Sequence, residues 1–171
     1  NRPVRVTVFR DLTERKRAEQ ELRHEREFTS TVFDTAGSLI VVLDRAGRIV
    51  RFNRTAEELT GYRFDELRGQ MLWDYFLSPE ESAAVQTVFK RLTANDIVAR
   101  YENHWRMRDG SYRLFDWSNR VITDSTSNVE YIVSVGIDIT ERKRDEQATE
   151  RLNRLLNTLG AVNPALVRAD S

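Results

Sequence analysis

Few residues in this sequence can do covalent chemistry. Its 171 residues include no cysteine, which excludes thiolate nucleophiles, disulfides, Cys-ligated metals, thioester-bound chromophores and cysteinyl-flavin photochemistry. The two histidines, His24 and His104, stand apart. His24-Glu-Arg26 has a faint likeness to a phosphoacceptor box, but no proline follows it and the nucleotide-binding asparagine and glycine boxes are missing. His104 alternates with Glu102, Arg106 and Arg108 along an extended run, the pattern of a solvated strand face. Isolated histidines without paired carboxylates make no metal-ligand set. Gly47, Gly61 and Gly110 punctuate turns and form no phosphate cradle.

Non-covalent binding is better represented. In residues 100–108 the set Tyr101, Asn103, Trp105 and Met107 alternates with charged residues and His104, and in residues 112–122 Phe115, Trp117, Asn119 and Val121 alternate with Asp116, Ser118 and Arg120. Period two puts each apolar set on the inward face of its strand. The pocket candidates are therefore Asn103, Trp105, Phe115, Trp117 and Asn119. Two asparagines beside two tryptophans can hold a small planar or polar ligand by hydrogen bonding and stacking. The alternative is a filled core in which the asparagines satisfy each other or the backbone. Flavin or another aromatic ligand, and a fatty or small organic acid, remain open as occupants.

These residues need elements to position them. Residues 13–36 contain no Pro or Gly and place Arg15/Glu19, Arg17/Glu21 and Arg23/Glu27 four apart, predicting a long linker helix. Ala18, Leu22, Glu25, Thr29, Val32 and Ala36 form a dilute heptad seam along it. Residues 38–43 and 48–53 predict a hairpin around Asp44-Arg-Ala-Gly47. Asn53 caps a helix over 54–60, and a short piece over 64–67 ends at Gly69. Ser78 and Pro79 open a helix running to about Thr93, with Ala84, Val85, Val88, Phe89 and Leu92 as its apolar face. Three strands follow, residues 100–108 and 112–122 around Asp109-Gly110, then 129–137. A second charged helix covers 140–159 with Leu152, Leu155, Leu156 and Leu159 on one face, and Asn163-Pro164 marks a break.

One segment repeats. Arg10-Asp-Leu-Thr-Glu-Arg-Lys-Arg-Ala-Glu-Gln20 recurs as Ile137-Asp-Ile-Thr-Glu-Arg-Lys-Arg-Asp-Glu-Gln147, each copy after a β-rich stretch and before a charged helix. The chain thus reads as the last strand of one module followed by the whole of the next. At the second copy Thr140 can cap the exit helix, and Asp138 is within reach of Arg142 or of helix N–H groups.

In this order of elements the chain resembles a PAS domain with its C-terminal PAC motif. The resemblance is carried by Asp44-Arg-Ala-Gly-Arg-Ile-Val-Arg-Phe-Asn53, Leu59-Thr-Gly-Tyr62 with Glu66-Leu-Arg-Gly69, Arg108-Asp-Gly-Ser111 and Gly136-Ile-Asp-Ile-Thr-Glu-Arg142, and covers residues 28–142. It implies an α+β architecture, the PAS fold: a five-stranded antiparallel sheet with helices on one face, flanked by N- and C-terminal signalling helices. A small cavity between sheet and longer helix then senses a ligand or serves packing. The implied organisation is a tail strand of a preceding PAS-like module at 1–12, a linker helix at 13–36, the PAS/PAC domain at 37–139 and a signalling helix at 140–171. Beyond Leu152 that last helix is similar to the N-terminal helix of a GAF domain. Haem in this family is usually held by a histidine on the longer helix, and residues 78–95 contain none, so haem is disfavoured together with the cysteinyl-flavin. The resemblance also implies that Asp138, Thr140 and Arg142 pass signal from sheet to helix.

Composition is consistent with such a module. Twenty-seven Lys+Arg balance twenty-seven Asp+Glu, so no net field draws the chain to nucleic acid. Apolar residues make up 40%, enough for one core. The longest aliphatic run, Leu39-Ile-Val-Val-Leu43, is far short of the ~20 residues of a spanning helix, which fits a cytoplasmic module whose parent protein is free to be membrane-anchored. The expectation is a non-catalytic sensor and signal-transfer module of a two-component or cyclic-di-GMP signalling protein. It dimerises through its flanking helices beside neighbouring PAS, GAF or output domains; the alternative is a ligand-free dimerisation spacer.

Overall fold

The computed structural model describes residues 9–94 and 100–169, with side chains described between residues 15 and 158. Helix α1 spans Phe9–Thr35, and exposed ladders such as Arg15–Glu19 and Arg23–Glu27 line it. Most of the tail strand expected at 1–12 lies outside the described residues. Where the two overlap the chain is already helical, because Phe9-Arg-Asp-Leu12 contains no Pro or Gly to stop the helix propagating upstream.

Strands β1 (Leu39–Asp44) and β2 (Ile49–Phe52) form the expected hairpin. Its turn is closed by Gly47 N–H donating to the Asp44 carbonyl at 3.0 Å, and the Asp44 carboxylate accepts from the Ala46 and Arg48 amides. Gly47 has φ +87°, and the Trp73 indole lies where a Cβ would stand. Both facts require glycine there.

Helices α2 (Arg54–Thr60), α3 (Phe64–Leu67), α4 (Leu72–Phe76) and α5 (Pro79–Thr93) follow. Helix α4 has no sequence signal: Leu-Trp-Asp-Tyr-Phe carries no cap, and tertiary burial of Leu72 and Phe76 holds the turn. Helix α5 begins as expected, with the Ser78 hydroxyl accepting from Glu81 N–H. Its inward face is shifted by part of a turn, since Ala84 is exposed while Val85, Val88, Phe89 and Leu92 turn toward the sheet. Asn95, at the end of the helix read from sequence, lies outside the described residues.

Strands β3 (Tyr101–Arg106), β4 (Tyr112–Thr123) and β5 (Val129–Asp138) complete a five-stranded antiparallel sheet in the order β2-β1-β5-β4-β3. Helix α6 spans Thr140–Ala169 and passes through Asn163-Pro164. The expected break is absent because a helix can carry a proline at the loss of one N–H donor and some bending. The core lies between the inner sheet face and helices α2 to α5, where Phe76 stacks on Trp105 at 4.2 Å and Trp105 meets Trp117 at 4.6 Å. Each such buried aromatic contributes about 1.5–3 kcal/mol through area removed from water.

Asn53 ties three elements together. It is fully buried; its Oδ1 accepts from Ala56 and Ile40 amides, and its Nδ2 donates to the Phe33 and Ser38 carbonyls at 3.1 and 3.0 Å. All four hydrogen-bonding positions of the amide are satisfied, which fixes the end of α1 against β1 and the start of α2.

Candidate functional site

The alternation along β3 and β4 is realised. Asn103, Trp105, Met107, Phe115 and Trp117 are buried, and His104 faces out. Asp116, on the outward set, is nonetheless buried because its carboxylate pairs with Arg100 at 2.8 Å. Between this sheet face and α5 lies a cavity of about 50 Å³.

Asn103, Trp105, Trp117 and Asn119 all stand on its wall. Phe115 does not: it is fully buried beside the Trp105 and Trp117 rings, at 5.8 and 5.5 Å, and the two indoles cover it. The sequence did not mark Leu72 and Trp73 of α4 as cavity residues, because nothing in it marks α4. Val41 and Leu43 of β1 and Ile132 and Ser134 of β5 complete the sheet side, and their alternation was visible without showing which neighbours they would meet.

The wall carries no charged residue. Trp117 Nε1 donates to Asn103 Oδ1 at 2.5 Å, and Ser134 Oγ donates to Asn119 Oδ1 at 2.6 Å. An indole nitrogen can only donate, so the Asn103 amide is oriented by chemistry, with its Nδ2 hydrogens turned away from the indole. Among the described residues neither Asn103 Nδ2 nor Asn119 Nδ2 has a partner, and neither is sealed from the cavity or solvent. Two neutral donors are thus available on an aromatic and aliphatic wall. Tyr101 adds a hydroxyl whose pKa is raised by burial and by the Glu81 carboxylate, so it stays protonated.

Glu81, in the first turn of α5, ties that helix to β3. Its Oε1 accepts the His104 backbone N–H at 3.1 Å and lies 3.2 Å from His104 Nδ1, while Oε2 is buried without a partner. Among the described residues no group of three His, Cys, Asp or Glu could hold a metal ion.

A second cluster joins sheet and exit helix. Asp138 Oδ1 accepts from Thr140 N–H at 2.9 Å and Thr140 Oγ1 at 2.6 Å, and Thr140 Oγ1 accepts from Leu114 N–H at 2.9 Å. Ile139 N–H donates to the Leu114 carbonyl. The charge partner of Asp138 is Arg113 of β4, at 2.9 Å. Arg142 is not part of the cluster, since its place in the first turn of α6 directs it along the helix to Glu146. Burial pushes the Asp138 carboxyl up, but the Thr140 hydrogen bonds and the Arg113 guanidinium outweigh it and hold the pKa below the ordinary carboxylate value. Lys143, one turn along α6, reaches Glu102 of β3 at 3.5 Å.

A five-stranded antiparallel sheet with helices over one face, a small cavity beneath the longest of them and a hydrogen-bonded joint to an exit helix defines a sensory module. The family model described as PAS fold matches residues 27–139, and the chain belongs to the PAS family. It is 33% identical over 144 residues to the cyclic di-GMP phosphodiesterase PdeR of Escherichia coli K12, covering 81% of this chain and 21% of PdeR. It is 24% identical to the sensor histidine kinase TmoS of Ectopseudomonas mendocina, covering 85% of this chain and 15% of TmoS. The PAS domain of the Cronobacter turicensis quorum-sensing receptor RpfR, solved in complex with BDSF and with C12:0, is 35% identical with a TM-score of 0.55, covering 61% of this chain and 96% of that domain. The chain therefore resembles the sensory modules of signalling proteins. It spans about a fifth or less of the length of the curated relatives it matches. Among the described residues no helix is long and apolar enough to cross a membrane.

Proposed function

We propose that this module senses a compact apolar molecule bearing a hydrogen-bond acceptor at one end, such as a carboxyl or carbonyl, and passes its occupancy to α6. The observation that carries this reading is the pair of unpartnered Asn103 and Asn119 donors on an otherwise apolar, uncharged wall. An uncharged wall favours a neutral or hydrogen-bonded head over a cation, whose burial here would be uncompensated. The complexes of the related RpfR domain with BDSF and with C12:0 support the same class. Asp138 and Thr140 form the joint to α6, and the flanking helices pair with a second copy. Neighbouring PAS, GAF or output domains in the parent protein would receive the signal, and catalysis in a kinase or a cyclic-di-GMP enzyme would lie there.

Thermal midpoints with short saturated carboxylic acids, compared with alkylamines of equal length, test the ligand class. Acids at ~100 times their Kd should stabilise by about 2.7 kcal/mol, a shift of several degrees that amines do not produce and that Asn119→Leu abolishes. Equal shifts with acids and amines, or no response to either, would sink the reading.

A further inference from the structure

The cavity stops at one level across three neighbouring strands. On β1 it is lined by Val41 and Leu43 but not Leu39, on β5 by Ile132 and Ser134 but not Gly136, and on β4 by Asn119 and Trp117 but not Phe115. Leu39, Gly136 and Trp117 form a single cross-strand row. Along these three strands the cavity ends at the Trp117 row; on β3 its wall also includes Asn103 and Trp105, the two residues that hold the Trp117 ring.

That indole packs directly against Gly136. A Cβ built on Gly136 would stand 2.7 Å from Trp117 Cζ3 and 2.8 Å from Cη2, closer than carbon atoms tolerate, so only glycine leaves room for the ring. Gly136 has no positive φ, so the demand for glycine comes from the ring above it and not from the backbone. Two further contacts fix the ring: its Nε1–H is held by Asn103, and Trp105 packs beside it at 4.6 Å. A ring fixed by hydrogen bond, by the glycine beneath it and by a neighbouring indole cannot swing aside as a lone rotamer would.

We propose that Trp117, seated on Gly136, is the length gauge of this cavity, closing its end and restricting the ligand to a short tail. The inference rests on the acceptor-headed ligand reading for its choice of ligand series. An apolar cavity of about 150 Å³ holds a benzene ring; the cavity of about 50 Å³ here admits less. A chain of the length of C12:0, found on the RpfR domain, does not fit beside Trp117 in this arrangement. Replacing the indole by a shorter side chain opens the floor over Gly136 toward Leu39 and Phe115. Adding a methyl at Gly136 lifts the ring into the cavity and shortens it.

The test titrates two probe series, saturated acids of two to twelve carbons and the neutral n-alkanes from ethane to hexane. Each is followed by NMR in the wild-type chain, Trp117→Leu, Gly136→Ala and the double variant. Each methylene that finds apolar room raises affinity about fourfold. Affinity should climb with length to a cut-off in the wild type. The cut-off should move at least two carbons longer in Trp117→Leu and shorter in Gly136→Ala. The double variant, in which the added methyl meets no ring, should recover the longer cut-off and shows whether Gly136→Ala failed only in folding. The same cut-off in wild type and Trp117→Leu overturns the gauge, as does the absence of binding by both series in both proteins. Alkanes that follow the shift while no acid binds would uphold the gauge and refute the acceptor-headed reading.

Discussion

Asp138 shows at the scale of one residue how this module balances opposing effects. Burial disfavours its charge, and three hydrogen bonds from Thr140 and Arg113 restore it. Its folded pKa is depressed, so its contribution to stability is present above the unfolded value near ~4 and is lost as pH falls through the folded value. Asp138→Asn should therefore lower the thermal midpoint by a few degrees between pH ~5 and ~8, corresponding to about 1 kcal/mol. The difference should shrink progressively as pH falls below ~4 and close once pH is below the depressed folded value. A gap that does not shrink at all as pH falls below ~4 would mean that packing, not charge, is what the aspartate supplies. The sequence showed that Asp138 and Thr140 stand at the joint, because the segment repeats. It did not show Arg113 as partner, because Arg113 is on another strand and Arg142 is nearer in sequence. Asn53 was legible as a helix cap only; its bonds to Phe33 and Ser38 depend on how α1 packs, which no local pattern encodes.

At the scale of elements, most of the strands and helices follow from period and punctuation. The Asp109-Gly110 and Asp44-Arg-Ala-Gly47 turns set two hairpins, and alternation assigned the inner faces of β3 and β4. Helix α4 was illegible, and with it Trp73, because five residues without caps are held by burial alone. The flanking helices expose apolar residues that the domain does not use: Leu22, Phe28 and Val32 on α1, and Leu152, Leu155 and Leu156 on α6. The side chain of Leu159, the fourth member of the face read from sequence, lies outside the described residues. Each seam is too short for a stable coiled coil alone, so association should be modest and concentration-dependent. Sedimentation should show a dimer forming in the high micromolar range. Replacing Leu152, Leu155 and Leu156 by Ser should leave a monomer whose thermal midpoint is unchanged at low concentration. A wild-type chain that stays monomeric throughout that range would contradict the pairing.

Across the whole molecule, the cavity and the joint meet on β3 and β4. Strand β3 carries Asn103 inward, takes Glu81 of α5 at His104 and Lys143 of α6 at Glu102. Strand β4 carries Trp117 and Asn119 inward, and at its start Arg113 and Leu114 hold Asp138 and Thr140. A ligand that displaces α5 or the two asparagines therefore acts on the strands that anchor the exit helix. Coupling requires that occupancy change this anchor. Amide hydrogen exchange at Leu114, Ile139 and Thr140 reads the anchor directly, since these three N–H groups bond to Thr140 Oγ1, the Leu114 carbonyl and Asp138 Oδ1. The measurement is made with and without a saturating amount of the acid that binds tightest in the two-to-twelve-carbon series. Exchange at all three should change severalfold, while the Ser127 turn amide, at the opposite end of β4 and β5 from the joint, keeps its rate. Saturation that shifts the cavity amides and leaves these three untouched would contradict the account, because the ligand would then be bound without being transmitted.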